Sequence, residues 1–265
     1  MRVFVHRLCP LHLSFLLSLL FVTEDSLAQK ESSLLQQELA VVPGRPSVAD
    51  PAAISVQGAL EVEFGLSHKR QRSGESEVTT PVVFKFSLSD RFQLRASSDG
   101  VATMLSRASG SQMDFINFSL GAQYVLLSKQ QAGADAAIRL ESSILNENDE
   151  YFSSNFTCLG LYSKDLGDPH IDINIGYSYQ NHLNTSQQSQ WLFAAALDGA
   201  LSGPWRWAGE FRGIHTAQAT PLYGLAAVTY QPHPAVSWDF GAEFGLNRHT
   251  PRLTLFAGVV FIFLK

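Results

Sequence analysis

The sequence predicts an all-β fold: a closed, antiparallel, up-and-down transmembrane β-barrel of about twelve strands, with ten or fourteen as the alternatives. Three observations point there. Segments of about ten residues alternate apolar and polar side chains from position 56 to the C-terminus, the length a tilted strand needs to cross a bilayer. Their polar positions carry many charges. The chain also opens with an export signal, yet no later apolar run is long enough for a spanning helix.

The signal is residues 1–28. Arg2 and Arg7 precede an apolar run at 11–22, and Ser26-Leu27-Ala28 offers a small-residue cleavage site. Residues 29–54 follow as a periplasmic lead-in. Pro43, Gly44, Pro46 and Pro51 interrupt any period there, with room for a short helical turn at 32–39. The barrel is assigned to 55–265. Cys158 is the one cysteine left after cleavage, so no internal disulfide can form. The formal net charge of −5 and the lack of basic clusters exclude a nucleic-acid partner.

The first strand sets Leu60, Val62, Phe64 and Leu66 against Glu61 and Glu63, which the period of two puts on opposite faces. Phe84 and Phe86 then oppose Lys85, and a polar reversal at Ser89-Asp90-Arg91 leads to Phe92, Leu94 and Ala96 opposite Gln93 and Arg95. Phe118, Leu120, Ala122 and Tyr124 make the fourth apolar face. In the fifth strand Ala134, Ala136, Ile138 and Leu140 oppose Asp135, Arg139 and Glu141. Residues 155–162 and 190–198 read as strands whose facing is ambiguous. Ile171, Ile173, Ile175, Tyr177 and Tyr179 oppose Asp172 and Asn174. Trp205, Trp207 and Phe211 oppose Arg206, Glu210 and Arg212; residues 222–230 form the tenth strand; Trp238, Phe240 and Phe244 oppose Asp239 and Glu243. The last strand runs from Leu253 to Phe263.

Alternation alone also fits a soluble secreted β-sandwich that binds a ligand. The barrel is preferred because connections alternate in length: short after Leu88, Leu127, Lys164 and Gln231, longer after Ser67, Ser97, Ile144, Tyr179 and Arg212. Aromatics such as Tyr124, Tyr177, Trp191, Trp205, Tyr230 and Trp238 also gather towards strand ends, as at a membrane interface. In lipid, unpaired sheet edges are excluded, so the sheet must close.

Several short motifs bear on family. Arg45-Pro46 and Asp50-Pro51 precede a first strand carrying Gly58, Glu61, Glu63 and Gly65; Leu88-Ser89-Asp90-Arg91-Phe92-Gln93-Leu94-Arg95 makes the next turn. Leu120-Gly121 with Tyr124, Ser163-Lys164-Asp165-Leu166, Asn174 with Gly176-Tyr177, Gly245-Leu246-Asn247 and Thr250-Pro251 follow. With these the chain resembles the outer-membrane barrel family named for the MetA pathway of phenol degradation, described as transporter-like. The resemblance implies a barrel moving small hydrophobic or aromatic compounds and carries no catalytic residue across. Phe263 is followed by Leu264 and Lys265, a departure from the terminal aromatic common in such barrels.

The expected role is passive or gated passage of small solutes across the bacterial outer membrane. The expected partners are outer-membrane lipid, the insertion machinery and the solute, with the protein a monomer. The candidate lumen-lining residues are Glu61, Glu63, Lys85, Arg95, Asp135, Arg139, Glu141, Asp172, Arg206, Glu210, Arg212, Asp239 and Glu243. Eight are acidic and five basic, which favours cations in a water-filled lumen. Glu61 and Glu63 point the same way and should seek Lys85 or Arg95. His68, His182, His215 and His249 fall on loops or strand ends without ligand spacing, so neither metal nor cofactor is expected. The rival class is an outer-membrane lipid-modifying enzyme. Ser67-His68 is the sole adjacent serine–histidine pair, and neighbours on a strand face opposite ways.

Overall fold

The first strand finds the last. β1 (Ala59–Arg70) pairs antiparallel with β13 (Leu253–Leu264) from Ala59↔Leu264 to Arg70↔Leu253 and closes the sheet. The computed structural model describes residues 40–45, 47–106, 110–147, 151–181 and 188–264; the signal, the helical turn expected at 32–39 and His182 lie outside them. From β4 onward every strand pairs with its sequence neighbour: β4 (Phe92–Ser106), β5 (Gly110–Leu127), β6 (Asp135–Glu147), β7 (Tyr151–Asp165), β8 (His170–Asn181), β9 (Gln188–Ser202), β10 (Trp205–His215), β11 (Leu222–His233), β12 (Val236–Gly245) and β13. This is a closed, up-and-down antiparallel barrel.

Thirteen strands make twelve staves because one stave is broken. β2 (Ser76–Thr79) and β3 (Val82–Ser87) both lie between β1 and β4, separated by Thr80 and Pro81. Proline has no N–H to give to the ladder. The Thr80 hydroxyl instead accepts a bond from the Val101 N–H at 3.2 Å. On β4 the pairing steps from Ser98↔Val82 to Ala102↔Thr79, one residue more than the partner, and Gly100 takes φ +70 within that bulge. The β2 piece is absent from the alternating pattern because Ser76, Glu77 and Thr79 give it no apolar face.

Large apolar side chains point outward and are exposed: Leu60, Phe64 and Leu66 on β1, Phe118 and Leu120 on β5, Ile173 and Ile175 on β8, and Phe240 and Phe244 on β12. Their alternates are buried, among them Glu61, Lys85, Gln123, Arg139, Asp172, Glu210 and Asp239. An outer surface this apolar suits hydrocarbon and not water. Outward aromatic pairs occur towards both ends. Trp205 and Tyr230 lie 4.7 Å apart near the end where β1 begins, here called the base, and Tyr177 and Trp191 lie 5.2 Å apart towards the opposite rim.

Two expectations change. The long connections after Ser97 and Ile144 are mostly strand: β4 runs on to Ser106, β5 starts at Gly110, and β6 and β7 extend to Glu147 and from Tyr151. These extensions lack the strict alternation of the lower strands, and a strand that clears the bilayer needs no apolar outer face. The turn after Leu127 holds a single helical turn, α1 (Lys129–Ala132), closed by Gly133 at φ 73.

The facing of β7 and β9 is also settled. Leu159 and Leu161 on β7, and Ala194 and Ala196 on β9, are buried inward, while Phe156, Tyr162 and Trp191 are exposed outward. Both faces of these strands are apolar, so alternation could not tell them apart.

The register predicts that Leu120→Arg, on the outer face near the middle of β5, destabilises the folded barrel by about 2–4 kcal/mol. Urea titration in lipid vesicles measures this, and the same change at inward Ser119 should cost much less.

Candidate functional site

Glu61 and Glu63 stand on the inner face of β1, and ladder pairing sets Lys85 of β3 directly beside Glu61. The Lys85 ammonium lies 2.9 Å from the Glu61 carboxylate and bridges to Glu63 as well. All three side chains are almost fully buried. What buries them is residues 40–45 and 47–55, which pass into the base half of the lumen.

The wall carboxylates hold this segment by its backbone. Glu61 accepts the Val42 N–H at 2.7 Å and the Ser55 hydroxyl at 3.0 Å, and Glu63 accepts the Gly44 N–H at 2.8 Å. Lys85 donates to the Val42 carbonyl at 3.1 Å. Across the lumen Glu210 of β10 accepts the Val48 and Ala49 N–H groups at 2.6 and 2.7 Å. Ser163 of β7 accepts the Ala52 N–H at 2.7 Å and donates to Asp172 at 2.5 Å. The Gln123 amide of β5 donates to the Pro51 and Ala52 carbonyls, both at 3.1 Å. With its amide oriented to satisfy both groups, Asn174 of β8 donates to the Asp50 carbonyl and accepts the Asp50 N–H. A segment without regular structure must satisfy its buried amides somehow, and here wall side chains do it.

Two side chains of the segment add ion pairs. Arg45 makes two 3.1 Å bonds to Asp239 of β12 and one of 3.2 Å to the Ala257 carbonyl. Its guanidinium lies over Gly65 and Gly258, which face each other across β1 and β13. A Cβ at Gly258 would come within 2.4 Å of Arg45 Nε, and one at Gly65 within 2.5 Å of Arg45 Nη1, so both glycines are needed for the seat. Asp50 pairs with Arg95 at 3.4 Å and with Arg139. Burial pushes the Asp50 carboxyl up, but Arg139, Arg95 and Lys85 outweigh it and hold it well below the usual carboxylate range.

Small apolar contacts complete the fit. Val41 packs with Ala59, Val260 and Ile262; Ala49 with Ala194 and Ala196; Ala52 with Val125, Ala137, Leu159 and Leu161. These contacts explain the inward apolar faces of β7 and β9.

The thirteen sequence candidates therefore divide. Glu61, Glu63, Lys85, Arg95, Arg139, Glu210 and Asp239 hold the segment directly, and Asp172 does so through Ser163. Arg212 and Glu243 pair at 2.8 Å further towards the rim, with the Arg212 guanidinium 4.0 Å from the Tyr223 ring. Glu141 stands 4.0 Å from Arg139. Asp135 accepts the Lys129 N–H in the α1 turn, and Arg206 pairs with Asp198 at 3.0 Å; both lie at the base, away from the rest. Ser67 bonds Thr79 at 2.6 Å on the inner face, His215 bonds Thr220, and His249 meets Arg248.

The residues that sequence reasoning missed are Arg45, Asp50, Gln123, Ser163 and Asn174. A signal existed for two of them. Arg45 and Asp50 are the sole charges between positions 40 and 60, a rare placement in a stretch rich in alanine and proline.

Removing Lys85 leaves two buried acids without their cation. Lys85→Met should cost about 3–5 kcal/mol in urea unfolding. The triple change with Glu61→Gln and Glu63→Gln should recover part of that loss.

No family model matches the sequence, and neither does any curated protein. Among solved structures the chain is similar to an outer membrane channel from Pseudomonas putida F1 (TM-score 0.58, 11% identity), over 84% of this chain and 100% of that one. It is also similar to the NanC porin (TM-score 0.56, 9% identity), over 76% of this chain and 98% of that one. At such identities the likeness establishes a shared fold, that of outer-membrane β-barrels.

Proposed function

We propose that the chain is a monomeric outer-membrane channel giving passive or gated passage to small solutes, hydrophobic or aromatic ones among them. The base then faces the periplasm and the rim the exterior. The observation that carries this reading is what occupies the lumen. The wall's own side chains fill a small eight-stranded barrel. Here the base half has room for a whole chain segment, which the wall holds by polar contacts.

The character of the wall supports the solute class. Leu159, Leu161, Ala194 and Ala196 on β7 and β9 make an apolar side. Glu61, Lys85, Arg212, Asp239 and Glu243 make a charged side. Hydroxyl pairs Ser119–Ser143 and Thr157–Ser178, both at 2.9 Å, lie between Glu141 and the rim or beside it. Where the segment does not cover them, a small molecule with one apolar and one polar edge can meet matching surface on both sides. The resemblance to the phenol-degradation family and the likeness to channel structures agree with this assignment.

Single-channel recording in planar bilayers tests it. Small conductance steps with cation preference are expected under a salt gradient. Glu141→Gln with Glu243→Gln should move the reversal potential towards anions, because each removes a carboxylate from the lumen and the second leaves Arg212 with Glu210 alone. Small phenol-like solutes should interrupt the current in a concentration-dependent way. Folded protein that neither conducts nor allows liposome swelling would overturn the reading.

A further inference from the structure

The β-ladder closes through β1 and β13 without help from residues 40–55. Among the described residues, one backbone-to-backbone bond joins the segment to the barrel, from the Val41 N–H to the Pro234 carbonyl in the turn between β11 and β12, at 2.9 Å. Its buried apolar side chains, Val41, Ala49 and Ala52, are small. At its contact with the wall Gln123 Oε1, Arg139 Nε and Glu210 Oε1 have no hydrogen-bond partner among the described residues. A permanent core element normally satisfies such atoms.

The wall also has second partners in place. Arg212 Nε stands 3.6 Å from Glu210 Oε1, and Arg139 Nε stands 4.0 Å from Glu141 Oε2. Lys85 keeps Glu61 and Glu63 whether or not the segment is there. Withdrawal takes Asp50 from Arg95 and Arg139 and takes Arg45 from Asp239; Arg139 has Glu141 to turn to, so one charge of each sign, Arg95 and Asp239, loses its ion-pair partner. The segment itself takes away Arg45 and Asp50, again one of each. An exchange of this kind leaves the net charge of the lumen unchanged, and water entering the vacated base solvates Arg95 and Asp239, which removes the usual reason a buried ionic contact cannot open.

We propose that the described residues 40–45 and 47–55 are a displaceable plug: an autoinhibitory contact that closes the lumen at its base and can leave it without unfolding the barrel. The plug is a loop hung from the base at both ends. Val41 is tied to the turn between β11 and β12, and Val56 leads through Gly58, whose N–H bonds the Ser87 carbonyl, into β1. It therefore withdraws towards the periplasm and not towards the rim. Arg45 with Asp239, and Asp50 with Arg95 and Arg139, are the latches. This inference rests on the channel reading, since a plug has meaning where something passes.

Single-channel recording of latch and cross-link variants separates the two. In a Cys158→Ser background, Ala49→Cys with Ala196→Cys joins two side chains in contact across the plug and β9. Heat-modifiable gel migration confirms that each variant is folded, and a reductant-sensitive gel shift confirms the cross-link. Opening frequency should fall about tenfold or more on oxidation and return with reductant, and Arg45→Ala with Asp50→Asn should raise it by a similar factor. Oxidised channels that open as often as reduced ones, or a folded protein in which the cross-link does not form, overturn the plug while the channel reading stands. Folded protein that conducts in none of these forms overturns both.

Discussion

One buried ionic cluster organises the interior. Lys85 lies between Glu61 and Glu63, and the two carboxylates use their remaining lone pairs on the backbone of the incoming chain. Removing two acids and a base from water is costly, and neither neutral packing nor a lone ion pair would offset it so fully. The acids are satisfied because the segment supplies Val42, Gly44 and Ser55 as donors; the segment is satisfied because the acids are there. Glu210 repeats the device on β10, four staves round the ring, with Val48 and Ala49. The barrel's charged inner face and the unstructured segment explain each other.

The fold was largely legible in the sequence. Period-two alternation in lipid admits one register, because a slip by one residue would turn Lys85, Arg95 and Arg139 to hydrocarbon. Three features escaped for separate physical reasons. β2 lacks an apolar face and follows a polar turn, so nothing marked it. β4 and β5 lose strict alternation where they run past Ser97 and before Phe118. β7 and β9 are apolar on both faces, since Leu161 and Ala196 meet Ala52 and Ala49 of the segment while Tyr162 and Leu197 face outward.

The site was legible in part. Glu61 and Glu63 were expected to seek Lys85 or Arg95, and Lys85 is the one that binds them. Arg95 turns instead to Asp50, on the segment read from the sequence as a lead-in to the first strand. No local rule predicts that a proline-rich stretch without periodicity will thread a lumen. Its two charges become interpretable after the wall is built, when Asp239 and Arg139 require partners. Gly65 and Gly258 carry the same lesson: as residues in strands they look permissive, and in the barrel they are the space in which Arg45 lies.

The interior is held by contacts that are mostly backbone amides on fixed carboxylates, with the ion pairs of Arg45 and Asp50 for specificity. The most direct test of that account is amide hydrogen exchange by NMR on the folded protein in detergent micelles. The Val42, Gly44, Val48, Ala49 and Ala52 amides should exchange far more slowly than in a free peptide, and Glu210→Gln should speed exchange at Val48 and Ala49 before it does so at Gly44. Free-peptide rates at all five amides in an intact barrel would contradict it.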